Sequence, residues 1–467
     1  MEELLRYLQQ RGAPLRGSLR DRDWLIGYDI EEFNSLTEQL FAQLTRFSTP
    51  PKVILAQENP LEFLASFLAA VIANCSVFLC NPNWGQLEWE QVSQLVQPDL
   101  ILGRVAIDLK NTSHPKPSTL NPTPHNLISI PTGGSSGKIR FAMHTWETLT
   151  ASVKGFHQYF GDRPVNSFCV LPLYHVSGLM QFIRSFLTGG NLLIFPYKLL
   201  KSGKIPKIDP RDFFISLVPT QLQFLLQSDP GWLSQFHAVL LGGAPMARSL
   251  LDTARKYNIP LAPTYGMTET ASQIVTLKPE DFLAGNNSSG RVLPHADVTI
   301  RSNTGDLLNS DRTGTITIKA DSLCLGYYPN IFSDRKYFYT DDLGYFDAEG
   351  YLNIVGRNSQ KIISGGENVF PPEVEAAILA TQLVEDVCVI GLPDEKWGQV
   401  VIAVCVPKQK EVFVEDIKTA IGKKLSKFKQ PKYWLEVEKL PRCDRGKINY
   451  QQIQKIAARR KDNNENT

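Results

Sequence analysis

Short apolar runs recur along the first half of the chain, each separated from the next by a stretch long enough for a helix. Leu-Ile-Ser-Ile (127–130), Phe-Cys-Val-Leu (168–171), Asn-Leu-Leu-Ile-Phe (191–195), Ile-Ser-Leu-Val (215–218) and Ala-Val-Leu-Leu (238–241) are the clearest. Runs this short predict buried strands, and the helix-length spacers predict an α/β sheet. From about residue 297 the texture changes. Asp-Val-Thr-Ile-Arg-Ser, Gly-Thr-Ile-Thr-Ile-Lys-Ala and Tyr-Leu-Asn-Ile-Val-Gly alternate with period two and are broken by Gly and Asp. That pattern predicts a β-rich submodule of antiparallel strands over about 297–356. After Gly356-Arg357 lysines become denser, and the order reads strand, helix, strand, strand, helix. A boundary near 357 then divides the chain into a large N-terminal domain, 1–356, and a small α+β C-terminal domain, 357–467.

Phe63 to Cys80 carries no charge, and about 18 apolar residues could span a bilayer. The internal punctuation argues for a core element instead. Pro60 opens a helix, Asn74 ends it, Ser-Val-Phe-Leu-Cys follows as a buried strand, and Asn-Pro-Asn makes a turn. Pro115–Pro124 reads as a surface connector, and the polar tail from Lys461 as a frayed end.

Composition narrows the class. Apolar residues make up 43% and charged residues 21% of 467, which excludes collagen-like, coiled-coil and wholly disordered chains. The 49 Lys+Arg against 47 Asp+Glu leave a net +2, which argues against a nucleic-acid binder. The seven cysteines, at 75, 80, 169, 324, 388, 405 and 443, include no Cys-x-x-Cys pair, so a cytoplasmic location is expected. The N-terminus is acidic at once and has no apolar core, unlike a signal peptide.

Five segments carry candidate chemistry. The first is Pro131-Thr-Gly-Gly-Ser-Ser-Gly-Lys138, directly after a strand. Its glycines permit a tight turn, and its N–H and hydroxyl groups suit an anion such as phosphate. It is not a Walker loop, because only three residues separate Gly133 from Gly137 and Ile139 stands where a magnesium-binding hydroxyl belongs. A plain loop fits the same residues. The second, Thr264-Tyr-Gly-Met-Thr-Glu-Thr270, sets Glu269 between two threonines, as a magnesium-phosphate partner or a solvated turn. The third is Tyr339-Thr-Asp-Asp-Leu-Gly344, with Gly356-Arg357 behind it. Adjacent residues of a strand point to opposite faces, so Asp341 and Asp342 would not easily share a metal; one carboxylate on a ribose diol is an equal reading. The fourth, Ile363-Ser-Gly-Gly-Glu-Asn368, turns ahead of a helix opened by Pro372 with Glu373 and Glu375 at its amino end. The fifth, Pro441-Arg-Cys-Asp-Arg-Gly-Lys447, puts a lysine on a basic loop, which spacing alone leaves as a solvated charge.

Together and in this order, the five segments resemble the acyl-adenylate-forming, or AMP-binding, superfamily of acyl- and aryl-CoA ligases, peptide-synthetase adenylation domains and luciferases. The resemblance covers roughly 127–450. It implies a large domain of mixed sheets with flanking helices and a small mobile C-terminal domain. It implies ATP, Mg2+ and coenzyme A as cofactor and co-substrates. By the same resemblance Thr132, Gly133, Gly134, Ser135, Ser136, Gly137 and Lys138 hold the outer phosphates. Gly242, Gly243 and Ala244 border the adenine and the acid, and Tyr265, Gly266 and Met267 line the AMP. Thr268 meets the α-phosphate, Glu269 the metal, and Asp342 with Arg357 the ribose. Lys447 bridges the reacting carboxylate and the α-phosphate. Ser364, Gly365 and Gly366 line the path of the pantetheine thiol, and Asn358, Ser359 and Gln360 form the hinge.

A narrower resemblance rests on Leu171-Pro-Leu-Tyr-His-Val-Ser-Gly-Leu179, the short chain and Ile-Ser-Gly-Gly-Glu-Asn-Val-Phe-Pro-Pro-Glu-Val-Glu. These are similar to the o-succinylbenzoate–CoA ligases of menaquinone and phylloquinone synthesis. That likeness sets His175, Ser177, Gly178, Gly243 and Arg184 against the acid. Arg184 lies in an apolar run, where burial is costly unless an anion meets it; it could instead snorkel to solvent or pair with an internal carboxylate. Another aryl- or acyl-CoA ligase, or an enzyme loading a carrier protein, is the alternative. Small-molecule substrates are implied, with no nucleic acid and no membrane span, and the oligomeric state, homodimer included, stays open. The chain departs from the family pattern at Gly134, at Lys138-Ile-Arg140, at the doubled Asp341-Asp342 and in the non-acidic linker Asn358-Ser359-Gln360-Lys361.

Overall fold

The computed structural model describes residues 24–106, 126–133, 138–334, 336–365, 367–394, 397–409, 414–422, 424–442 and 447–465. The N-terminal segment, the Pro115–Pro124 connector, Gly134, Ser135, Ser136, Gly137, Gly366 and Cys443 lie outside the described residues.

The apolar runs at 168, 191, 215 and 238 become neighbouring strands of one eight-stranded sheet. Its order is Leu25–Ile26, Leu192–Ile194, Asn166–Cys169, Phe213–Leu217, Ala238–Leu241, Leu261–Met267, Ser272–Thr276, Arg291–Val292. The pairings are parallel up to Leu261–Met267 and antiparallel beyond it. The run at 127 enters a second, seven-stranded sheet instead. Its order is Asn330–Ile331, Gly326–Tyr327, Ile139–His144, Ile128–Gly133, Ser76–Leu79, Lys52–Ala56, Leu100–Gly103.

The helix Pro60–Ile72 packs into the core associated with both sheets. Asn59 caps it by accepting the Leu61 N–H at 2.9 Å, Pro60 takes the first position, and Asn74 leaves it with φ 58°. Leu61 and every residue from Phe63 to Ile72 are buried. Phe67 meets Phe182 of the helix Val176–Thr188 edge-on at 6.3 Å. The charge-free stretch is therefore a core helix and strand, and no described helix is long and apolar enough to cross a membrane.

The alternating segments form a four-stranded antiparallel sheet, Ala296–Arg301, Gly314–Ala320, Phe338–Phe346 and Leu352–Arg357. One piece of this region leaves it. Gly326–Tyr327 pairs with Ile139–His144 and so extends the seven-stranded sheet. Two-residue strands carry too little alternation to reveal such a detour.

Beyond Arg357 the chain passes through a 3₁₀ turn, Asn358–Gln360, into a five-stranded sheet. Glu367–Val369, Ile362–Ser364, Gly398–Pro407 and Val384–Asp394 follow in order, and Tyr433–Glu436 lies parallel to Gly398–Pro407. Period two now serves two buried faces. Val401, Ala403 and Cys405 pack with the helices Pro371–Leu379 and Val414–Gly422. Val400, Ile402, Val404 and Val406 pack with Ile453 and Ala457 of the helix Tyr450–Glu465. The expected strand order lacks Glu367–Val369, Val414–Gly422 and Tyr433–Glu436, and the last helix continues past Lys461, where polar composition predicts fraying. Two buried anchors, Ile453 and Ala457, hold its start.

Candidate active site

Gly242, Gly243 and Ala244 follow the carboxyl end of a parallel strand and Tyr265 lies towards the end of its neighbour, where an open α/β sheet leaves a crevice. Ala238–Leu241 ends in Gly242-Gly243-Ala244. Its neighbour Leu261–Met267 runs on through Thr264, whose hydroxyl donates to the Leu241 carbonyl at 3.1 Å. A Cβ on Gly242 would stand 2.5 Å from that hydroxyl, so the two strand ends meet only with glycine there. Ala244 is half-buried beside them.

Tyr265 leaves the same strand and donates its hydroxyl to Asp342 Oδ2 at 2.8 Å. The other oxygen, Oδ1, accepts from Arg357 Nε at 3.1 Å, because Asp342 and Arg357 are cross-strand partners. Burial, then the Asp342 charge, pushes the Tyr265 phenol well above its ordinary range, so it stays a donor. Asp342 is thus buried, bonded by two donors, and placed on a strand. Asp341 faces the opposite way, as the strand period requires.

Past Tyr265 the strand bulges, and a Cβ on Gly266 would lie 2.1 Å from the Ser272 carbonyl. The chain then folds into the turn Thr268–Thr270, tied by the Met267 N–H donating to Thr270 Oγ1 at 3.0 Å. Thr268 and Glu269 are both buried. His144 bonds the Thr268 carbonyl through Nε2 at 2.8 Å and Thr148 Oγ1 through Nδ1 at 3.0 Å. Burial lowers its pKa to about 4, so it holds the turn as a neutral ring. Glu269 Oε1 accepts from the Tyr327 hydroxyl at 2.6 Å, and the Arg140 guanidinium stacks over the Tyr327 ring at 4.3 Å.

Arg140 pairs with Thr132 across a β-hairpin, and Gly133 pairs with Ile139. The Gly/Ser-rich segment therefore connects two antiparallel strands, unlike the strand-to-helix Walker loop. Lys138 is exposed at its end. Side-chain contacts join Arg357, Asp342 and Tyr265, and a second set joins Glu269, Tyr327 and Arg140; the chain from Tyr265 into the Thr268–Thr270 turn connects the two sets.

His175 is the buried N-cap of the helix Val176–Thr188, its ring edge-on to Tyr174 at 4.5 Å. Ser177 and Gly178 lie in the first turn and Arg184 two turns on, so Ser177 and Arg184 share a face about 10 Å apart. Arg184 is only 2% exposed, which excludes snorkelling. It donates to Gln273 Oε1 at 2.8 Å and Ser272 Oγ at 3.1 Å and stacks on Phe156 at 4.2 Å. No carboxylate among the described residues pairs with it. Two buried donors, Arg184 Nε and Gln273 Nε2, have no partner among the described residues. Burial lowers the Arg184 pKa to about 9, and burial with the Arg184 charge lowers His295 to about 4. The patch is a ready-made anion acceptor.

The small domain carries the remaining candidates. Ser364 is buried, and the Gly365 N–H donates to the Trp397 carbonyl at 2.9 Å. Lys447 is exposed, directly before the bridge of Ile448 to Arg442.

Two family models match the chain. Residues 30–328 match the AMP-binding enzyme family, and 373–447 match the C-terminal domain of AMP-binding enzymes. The chain belongs to the AMP-binding enzyme family. It is similar to the 2-succinylbenzoate–CoA ligase of Listeria monocytogenes, 34% identical over 449 residues that span 90% of this chain and 92% of that protein. Among solved structures it is similar to the o-succinylbenzoate coenzyme A synthetase of Bacillus subtilis. The complex with AMP gives a TM-score of 0.79 at 26% identity, over 96% of this chain and 97% of that one. The complex with the acyl-adenylate intermediate gives 0.78 at 25% identity with the same coverage.

Within this AMP-binding enzyme, sequence reasoning missed Tyr327, His144, Gln273 and His295. No local pattern marks Tyr327, which reads as part of a Gly-Tyr-Tyr-Pro loop. Tyr327 fixes one oxygen of Glu269, the residue that the family resemblance sets against a metal. Removing a bond to a carboxylate costs about 1.5–3 kcal/mol, so Tyr327→Phe is expected to raise the magnesium concentration for half-maximal activity by about tenfold or more. A magnesium titration at saturating ATP checks this; an unchanged midpoint would show that Tyr327 does not orient the metal ligand.

Proposed function

We propose that this chain is an o-succinylbenzoate–CoA ligase of quinone biosynthesis, acting in the cytoplasm on ATP, coenzyme A and a dicarboxylate. The observation that carries the substrate is Arg184: a buried guanidinium with no carboxylate partner among the described residues and an unpartnered Nε. A buried cation of this kind needs an anion, and an aromatic acid with a second carboxylate supplies it. The relatives bearing that name cover nearly the whole chain, which supports the same reading.

In the first half-reaction a carboxylate oxygen of the acid attacks the α-phosphorus of ATP. The bond from that phosphorus to the bridging oxygen breaks, and pyrophosphate leaves. Charge accumulates on phosphate oxygens, so fixed donors and cations matter more than a base. The hairpin loop with Thr132 and Lys138 holds the outer phosphates, Thr268 the α-phosphate, and Asp342 with Arg357 the ribose. Lys447 bridges the carboxylate and the α-phosphate. Glu269 offers one carboxylate oxygen, a donor set suited to a magnesium ion that keeps waters and shares phosphate oxygens. Such an ion would neutralise charge on those oxygens.

In the second half-reaction the small domain turns about the linker after Arg357, withdraws Lys447 and brings the Ser364-Gly365 turn to the site. The coenzyme A thiolate attacks the acyl carbonyl, the carbon–oxygen bond to phosphate breaks, and AMP leaves. Serving each step with a different face of one lid limits hydrolysis of the anhydride.

The test is pyrophosphate release with ATP and magnesium, with and without coenzyme A, across o-succinylbenzoate, benzoate, a coumarate and octanoate. Preference for o-succinylbenzoate by about 100-fold or more in kcat/KM is expected from one buried charge pair. Equal or better turnover of a monocarboxylate overturns the substrate assignment.

A further inference from the structure

The strand Val384–Asp394 shifts register against Gly398–Pro407 near its start. Val384 pairs with Pro407 and Asp386 with Val406, which leaves Glu385 as an extra residue. A bulge of this kind re-aims a neighbouring side chain. Both oxygens of the half-buried Asp386 carboxylate are engaged there. The Val387 N–H donates to Oδ1 at 3.0 Å, and Arg442 Nη2 donates to Oδ2. Arg442 stands near the start of the loop that carries Lys447, and the two ends of that loop come together. Arg442 bridges Ile448, the Asn449 N–H donates to the Pro441 carbonyl at 2.8 Å, and Asn449 Oδ1 accepts the Gln452 N–H at 3.2 Å at the head of the last helix. Leu440 and Ile448 sit in the apolar layer beneath that helix. Apolar packing is non-directional, so it sets the depth of the loop and not its heading. The charge-assisted bond to Asp386 is directional.

We propose that Asp386 is a positioning residue for adenylate formation: through Arg442 it sets the direction in which the loop presents Lys447 to the reacting carboxylate and the α-phosphate. Asp386 touches neither substrate nor reacting atoms and acts only through the loop. Asp386, Arg442 and Lys447 all belong to the small domain, so the ion pair moves with the lysine. Its effect on rate is confined to the half-reaction that uses Lys447. The inference rests on the role given to Lys447 above and adds what holds that lysine on course. A misplacement of about 1 Å at a reacting centre can cost about 100-fold in rate, so a modest pair at a distance has a large lever.

The experiment compares Asp386→Asn, Arg442→Gln, the charge swap Asp386→Arg with Arg442→Asp, and Asp386→Asn combined with Lys447→Ala, all in the full-length enzyme. Adenylate formation, thioester formation from supplied adenylate and the melting temperature are read for each. Asp386→Asn keeps the shape of the side chain and an acceptor for the Val387 N–H. It is expected to slow adenylate formation by about tenfold or more, through misplacement of Lys447. Thioester formation from supplied adenylate stays within about threefold of the parent, because Lys447 takes no part in it. Arg442→Gln has the same signature and carries the test if Asp386→Asn fails to fold. The charge swap recovers about threefold or more of the lost adenylate rate, since it restores the pair with its ends exchanged. In the Lys447→Ala background Asp386→Asn adds less than about twofold, because its effect runs through the missing lysine. Unchanged adenylate formation in both single variants would overturn the proposal. So would a parallel loss of both half-reactions with a lowered melting temperature, or a full further loss in the Lys447→Ala background. Failure of the Lys447 reading is separately visible and takes this proposal with it: Lys447→Ala alone then spares adenylate formation or impairs both steps alike. Failure of the proposal by itself leaves the Lys447→Ala pattern in place while Asp386→Asn behaves as the parent.

Discussion

Lys447→Ala is expected to slow adenylate formation by about 100- to 1000-fold, the loss typical of removing one donor aimed at developing charge. Thioester formation from supplied adenylate should stay within about threefold of the parent, since no charged α-phosphate transfer remains. The reason lies in where the lysine sits. It is exposed, one residue before the bridge of Ile448 to Arg442, and Asn449 closes the loop by donating to the Pro441 carbonyl at 2.8 Å. Arg442 is itself paired with Asp386, which anchors the base of the loop. Truncation therefore removes a charge without opening a cavity. Arginine is a poor substitute, because a planar fork cannot take the place of a compact point charge between two oxygens. Pyrophosphate burst kinetics measure the first step, and mass detection of the thioester measures the second. Equal losses in both would end the division of labour between the two lid faces.

Arg184→Met is expected to lower kcat/KM for o-succinylbenzoate by about 30- to 3000-fold, the range for losing one partner of a buried charge pair. Turnover of benzoate, which lacks the second carboxylate, should hold or rise. Methionine keeps the bulk of the side chain against Phe156 and removes only the charge and its donors. A second readout separates binding from structural support. In the free enzyme the guanidinium is desolvated, and its hydrogen-bond partners among the described residues, Gln273 and Ser272, are neutral. Its removal should leave the apo protein at least as stable, with a melting temperature unchanged or raised by about 1–3 °C. The parent alone should gain further stability when the dicarboxylate is added. A variant that melts markedly lower and loses all acids equally would make Arg184 a structural residue.

Much of the core was legible in the chain. Pro60 and Asn74 bounded a helix that an uncharged run could have passed off as a membrane span, because capping and breaking act through neighbouring backbone atoms. The apolar runs at 168, 191, 215 and 238 became strands because a strand covered on both faces needs no polar positions. The split between Asp341 and Asp342 followed from strand period alone. The roles of the first, second, third and fifth segments were not legible from spacing; a loop, a turn or a solvated lysine fitted each of them as well. Their order along the chain, through its likeness to a known family, was what gave them meaning.

By itself the sequence determined what local physics controls: where helices begin and end, which runs are buried, and which of two adjacent carboxylates faces inward. Tertiary structure alone decided which distant groups meet. Tyr327 reaches Glu269 because two short strands leave their own sheet for another, a detour worth only a few backbone hydrogen bonds and invisible to periodicity. Arg184 could have snorkelled or paired with a carboxylate; among the described residues it does neither, and neutral Gln273 and Ser272 and a covering Phe156 surround it instead. Ser359 looked like a loss of charge in the linker until Asp341 stood beside it. Hydrophobic period and turn chemistry act over a few residues and are written in order along the chain. The partners of a buried charge are separated here by as many as 89 residues, and only the packed fold brings them together.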